Sequence, residues 1–240
     1  MTTLIQPITH RRRALLASVI AFVLVLILWN VQALDFALYP FRLFVTFVHE
    51  SGHGLATLIS GGHFERFEVY ANGAGVALTA GGSRWLILPG GYLGAALFGA
   101  VLFYLANTIP HSRVIAGVLG VWMIGFSLLF TTFLSTAFLV GVGMGLVLIV
   151  LSAKASSDVT LILLNALAML TGLNAVLDLV NVFNHSDAML GNVRNDAAQF
   201  SAEIAPFLPG AFWAGLWALI AVGLLGAAVW YSVIRPRRIV

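Results

Sequence analysis

Residues 36–60 read FALYPFRLFVTFVHESGHGLATLIS, and they hold ionisable side chains inside a run that is otherwise largely apolar. A helix of this length rises about 1.5 Å per residue and covers the ~30 Å hydrocarbon core of a bilayer. Ionisable groups are costly in lipid, so those found inside such segments usually serve a function. The stretch therefore predicts a membrane helix that contains a chemical site.

The remainder of the chain repeats this apolar character. Of the 240 residues, 60% are hydrophobic and 9% are charged, whereas soluble domains carry about a quarter charged residues. Because backbone polar groups in lipid must bond to one another, these segments are expected to be helices. We predict an all-α polytopic membrane protein with six to seven transmembrane helices, forming one integral domain over residues 1–240. The expected helices are residues 14–33, 36–60, 85–106, 113–131, 134–152, 158–183 and 210–233.

The number of crossings depends on the ends of the chain. Arginine clusters occur at residues 11–13 and 235–238, and such clusters favour the cytoplasmic side of a membrane. Seven crossings would put the two clusters on opposite sides. A break at Pro-Gly-Gly, residues 89–91, would make the third segment re-entrant and leave six crossings with both ends cytoplasmic. Both counts remain open at this point.

Composition also limits the chemistry. The chain contains no cysteine, so any metal must be held by histidine and carboxylate side chains. Nucleic-acid binding would require a basic face or a known binding module on a soluble surface. The sequence shows neither, and we expect no nucleic-acid partner.

A short β-hairpin is expected after the second helix, over residues 64–80. Its centre is Asn72-Gly73, a dipeptide that accepts the positive φ angles of tight hairpin turns. The flanking residues have strand character. We therefore expect the hairpin to lie at the membrane surface.

The ionisable residues of the second helix form an H-E-x-x-H motif, with His49, Glu50 and His53 at its three defined positions. The four-residue spacing puts both imidazoles on one helix face, where they can bind one zinc ion, and Glu50 can reach a zinc-activated water without being a ligand. Random placement of these residue types would produce the motif roughly 0.002 times in such a chain. The pattern indicates metal-assisted hydrolysis with Glu50 as general base.

A catalytic zinc needs a third protein ligand. Asp178 lies near the end of an apolar segment, and Asp187 follows just beyond it. Both are candidates, although Asp178 could instead pair within the bundle and Asp187 could cap a helix. His63 and His185 are weaker alternatives because of their positions in a turn and beside Asp187.

The motif and its surroundings resemble the site-2 protease family of intramembrane metalloproteases. The similarity is carried by residues 47–56, FVHESGHGLA, by the glycine-rich hairpin that follows, and by residues 89–96, PGGYLGAA. A late Ser-Asp-Ala at residues 186–188 extends it. The sequence is most similar to the short bacterial branch that lacks a PDZ domain.

This resemblance implies that Zn²⁺ is bound by His49, His53 and a later aspartate, for which Asp187 is preferred to Asp178. Glu50 would act as general base in the cleavage of a membrane-embedded, single-span protein. The resemblance further implies a multi-pass protein of the bacterial inner (plasma) membrane, with the hairpin holding the substrate extended.

Two other functions remain open: a non-proteolytic scaffold or transporter that retains the fold, and a zinc hydrolase acting on a lipid or a small amide.

Overall fold

The computed structural model describes the backbone of residues 8–184, 189–190 and 193–235. The eight helices in these ranges are α1 Ile8–Asn30, α2 Asp35–Ile59, α3 Arg84–Thr108, α4 Ser112–Phe130, α5 Thr136–Lys154, α6 Ser157–Asn184, α7 Asp196–Glu203 and α8 Gly210–Val229. A 3-10 turn, Gln32–Leu34, precedes α2, and a π-helical turn, Trp230–Ile234, extends α8. The strands are β1 His63–Val69, β2 Gly75–Ala80, β3 Met189–Leu190 and β4 Val193–Arg194, paired antiparallel as β1–β2 and β3–β4.

Six of the described helices, α1, α3, α4, α5, α6 and α8, are long and apolar enough to cross a membrane. This confirms the predicted all-α polytopic fold, and the chain is a multi-pass integral membrane protein. The helix that carries the H-E-x-x-H motif, α2, is not among the six, although it has 25 residues. Its charged residues are Asp35, Arg42 and Glu50, so it is less apolar than the other long helices.

Contacts between helix ends show which way each helix runs. Arg13 near the start of α1 forms an ion pair of 2.7 Å with Asp158 at the start of α6. Arg113 at the start of α4 donates from Nε to the Ser152 carbonyl, near the end of α5, over 2.6 Å. Ser112 Oγ, also at the start of α4, donates over 2.8 Å to the Ser157 carbonyl at the start of α6. The starts of α1, α4 and α6 therefore share one end of the bundle with the end of α5.

A buried polar cluster adds α3 to this end. Ser18 of α1 lies 3.0 Å from Asn107 Oδ1 near the end of α3, and Asn107 Nδ2 donates over 2.7 Å to Asn165 Oδ1 of α6. All three side chains are buried. Hydrogen bonds between helices hold membrane bundles together, since lipid offers polar groups no other partner.

The opposite end of the bundle contains the starts of α3 and α8. Arg84, the first residue of α3, pairs with Glu203 of α7, and the ring of Trp85 lies 6.5 Å from that of Trp213 in α8. Thus α1, α4 and α6 run one way and α3, α5 and α8 run the other. Because α1 ends and α3 begins at the same end, α2 and the hairpin between them add no net crossing.

Six crossings place the start of α1 and the end of α8, the two ends of the described bundle, toward the same side. The explanation expected from the sequence, a break at Pro89, is wrong, because α3 is one continuous helix with Pro89 inside it. Pro89 lies in the second turn of α3. Because proline has no backbone N–H, one carbonyl near the start of the helix lacks its usual intrahelical hydrogen bond. Gly90 serves close packing instead: a Cβ there would lie 2.8 Å from the Cβ of Ala56 in α2.

The arrangement can be tested by labelling single cysteines, since the chain has none of its own. We expect His111→Cys and Ser156→Cys to react from the side on which α1 begins, which should be the cytoplasm because Arg12 and Arg13 lie there. Thr132→Cys and Ala202→Cys should react from the opposite side. If an impermeant maleimide labelled both Ser156→Cys and Ala202→Cys from the same side of the membrane, the six-crossing arrangement would be contradicted.

The predicted hairpin is confirmed, with Gly73 at φ 89° in its turn. It packs lengthwise on α2: the ring of Phe67 in β1 lies 5.0 Å from that of Phe47. Thr46 Oγ1 donates to the Gly73 carbonyl over 2.7 Å. The hairpin therefore runs along the helix that carries the motif.

Candidate metal centre

The two motif histidines meet on one face of α2, as the four-residue spacing predicts. Their Nε2 atoms lie 3.1 Å apart. His53 Nδ1 lies 2.7 Å from the Ile87 carbonyl in α3, a contact in which the Nδ1–H donates. That hydrogen bond fixes the ring orientation and leaves the lone pair of Nε2 directed at the site.

Asp196 is the third member of the cluster. Its Oδ2 lies 3.5 Å from His49 Nε2 and 3.3 Å from His53 Nε2. Asp196 is the first residue of α7, whose start is capped by Asn195, because the Asn195 side chain accepts from the Ala198 N–H over 2.9 Å. Phe200, buried with its ring 5.1 Å from Trp85, packs the helix against α3.

These three donor atoms fit a zinc ion. Tetrahedral ligands at bond lengths of 2.0–2.1 Å are separated from one another by about 3.3 Å, and the separations here are 3.1, 3.3 and 3.5 Å. Burial alone would raise the pKa of the Asp196 carboxyl, but the His53 and His49 imidazoles hold that pKa below its usual range. Three protein donors leave a fourth position for water or substrate.

Glu50 lies beside the cluster without belonging to it. Its side chain is 5% exposed, and its position on α2 is about 100° around the helix axis from His49. A Cβ on Gly75, the first residue of β2, would lie 2.5 Å from Glu50 Oε1. The carboxylate is thus enclosed between α2 and the hairpin, next to a site that can hold a metal.

A family model described as Peptidase M50B-like matches residues 15–228. The chain belongs to this family. The match confirms the resemblance to the site-2 proteases, so the protein belongs to a family of intramembrane metalloproteases. Searches among curated proteins and among solved structures gave no significant match.

The third ligand expected for this peptidase was Asp187 or Asp178. Asp187 and the weaker alternative His185 lie outside the described residues. Asp178 is exposed on α6, near enough to His49 for electrostatic interaction, but outside the three-residue cluster. His63 is exposed at the start of β1.

Asp196 did not stand out in the sequence as a ligand. It belongs to the polar connection after α6, among several other charged residues. The available signal was Asn195-Asp196 directly before a short amphipathic run, a typical helix start. That signal predicts a helix, but it does not predict that the helix start meets α2.

Gly91 gives the peptidase room at the site. It follows Pro89 and Gly90 in α3, and a Cβ at this position would collide with Nε2 of both His49 and His53. The absence of a side chain here thus leaves the space between the imidazoles and α3 available to a metal.

We expect Gly91→Ala to lower the zinc content of the purified protein to well below half that of the wild type. The added methyl group would push the imidazoles apart, while alanine itself favours the helix. Metal analysis and thermal unfolding in detergent measure the two effects. Gly143→Ala is the matched control, since a Cβ there meets nothing within 4 Å. Full zinc content in Gly91→Ala would contradict this account of the site.

Proposed function

We propose that this protein is an intramembrane zinc endopeptidase of the bacterial inner membrane, which hydrolyses a peptide bond of a membrane-embedded, single-span protein. The observation that carries the proposal is the cluster of His49, His53 and Asp196 with a buried glutamate beside it. Membership of the peptidase family supports the reaction class. The separations between the three donor atoms support zinc as the bound metal.

His49, His53 and Asp196 would hold the ion. Zinc, when bound, lowers the pKa of a water in its open position and polarises the substrate carbonyl. Glu50 then has two tasks: it accepts a proton from the attacking water, and it passes that proton to the leaving amine. Enclosure by α2 and the hairpin keeps the Glu50 carboxylate in place for both transfers.

The hairpin would present the substrate. A helical substrate hides its amides, so a peptide bond must be extended before water can attack it. An extended segment can add as a strand to an open sheet edge, and within the described chain β1 and β2 pair only with each other. Because β2 begins beside Glu50, a strand added to this hairpin would pass near the general base.

The direct test is cleavage in proteoliposomes that contain the purified protein and a tagged single-span substrate. We expect peptide products whose masses define one or a few cleavage positions, and no products with Glu50→Gln. Release of fatty acid without peptide cleavage would instead identify a lipid hydrolase. Absence of both zinc and cleavage across a panel of single-span substrates would support the scaffold or transporter.

A further inference from the structure

Tyr92 lies between the metal centre and α8. It follows Gly91 in α3. The rings of Tyr92 and His49 form an edge-to-face contact, with their centroids 4.6 Å apart and their planes at 82°. On another side its ring lies 6.5 Å from that of Trp217 in α8. These contacts hold the aromatic ring against a histidine of the cluster.

The ring contacts do not account for the hydroxyl group. A phenylalanine would pack against His49 and Trp217 equally well. Within the described part of the chain no hydrogen bond engages the Tyr92 hydroxyl, although the phenol oxygen is near enough to Asp196, Asp178 and Glu50 to interact with all three electrostatically. A neutral phenol in this position is a hydrogen-bond donor. It therefore has a proton to offer a substrate at the cluster.

We propose that Tyr92 is a further catalytic residue, whose hydroxyl donates a hydrogen bond to the scissile carbonyl oxygen as negative charge develops there. This inference rests on the proposed peptidase function. Attack of water forms a C–O bond while the carbonyl π electrons move to the oxygen. Breakage of the C–N bond draws those electrons back, and the amine leaves with the proton that Glu50 carried. Tyr92 keeps its own proton throughout.

The test compares Tyr92→Phe with the wild type in the proteoliposome cleavage assay. Removing one donor of this kind typically lowers kcat by about 10²–10³-fold. We expect a loss of that size, with KM changed less than about threefold and zinc content unchanged. A phosphinic peptide, which imitates the tetrahedral state, should bind more weakly by a similar factor, whereas a non-cleavable amide analogue should bind equally well.

Tyr104→Phe is the matched control, because it removes the same hydroxyl from the same helix, twelve residues further from the site. If Tyr92→Phe has the kcat of the wild type, the role proposed for Tyr92 is overturned. The proposed peptidase function would still stand, provided that Glu50→Gln is inactive. Loss of zinc in Tyr92→Phe would also overturn it, since the hydroxyl would then support the metal centre. If the wild type cleaves no peptide, both proposals fail.

Discussion

Replacement of Asp196 by alanine is expected to strip zinc from the protein. The change removes one of three donors and leaves two imidazoles to hold the ion. Loss of a residue that only supports a ligand already weakens metal binding by 10–100-fold, so loss of a ligand should cost at least about 100-fold. Zinc per chain after dialysis against a weak chelator, together with the thermal stability gained on adding zinc, would measure this effect.

Asp178→Ala and Asp187→Ala are the matched controls, because each removes one carboxylate from the same part of the chain. We expect Asp178→Ala to retain about one zinc per chain, since Asp178 lies outside the cluster. The sequence singled out Asp187, so its variant decides between the two assignments. Zinc retained in Asp196→Ala and lost in Asp187→Ala would show that Asp196 is not the ligand.

Replacement of Glu50 by glutamine is expected to abolish cleavage while leaving the metal in place. Glutamine fills the same enclosed space against Gly75 but cannot accept the proton of the attacking water. General-base catalysis contributes about 10²–10⁴-fold to a rate, and we expect kcat to fall at least 10³-fold. Single-turnover cleavage and zinc analysis on the same preparation would separate chemistry from metal binding.

Two outcomes would contradict this role. Activity within tenfold of the wild type would exclude Glu50 as the general base. Loss of zinc in Glu50→Gln would show that the side chain supports the metal instead. Glu65→Gln, on the exposed side of β1, is a control for the loss of one negative charge near the hairpin, and it should cleave normally.

Most of the helices were predictable because lipid imposes a simple rule. Long apolar segments must be helical in a membrane, so the apolar run near residues 134–152 indicated α5, Thr136–Lys154, to within two residues. The hairpin followed from the Asn72-Gly73 turn, and the histidine pair followed from a four-residue spacing. All three are local patterns, which depend on few residues close together in the chain.

The path of α2 was not predictable in the same way. Its length is that of a membrane helix, yet the helix adds no net crossing, because polar contacts at Asp158 and Asn107 set the directions of α1 and α3. Those partners are far apart in sequence. Pro89 and Gly90 were misleading for a related reason: they look like helix breakers, yet α3 continues through Pro89, and Gly90 allows close packing against Ala56 of α2.

The amino-acid sequence alone was sufficient for the membrane class, the hairpin, and the pairing of His49 with His53 beside Glu50. These features rest on hydrophobicity, on the Asn72-Gly73 turn and on the 3.6-residue helical repeat. Only the tertiary structure brought Asp196 to the histidines, because its position depends on how Phe200 packs α7 against α3. Tyr92 also became a candidate only in three dimensions. Such contacts depend on side-chain packing between distant segments, for which no local spacing rule exists.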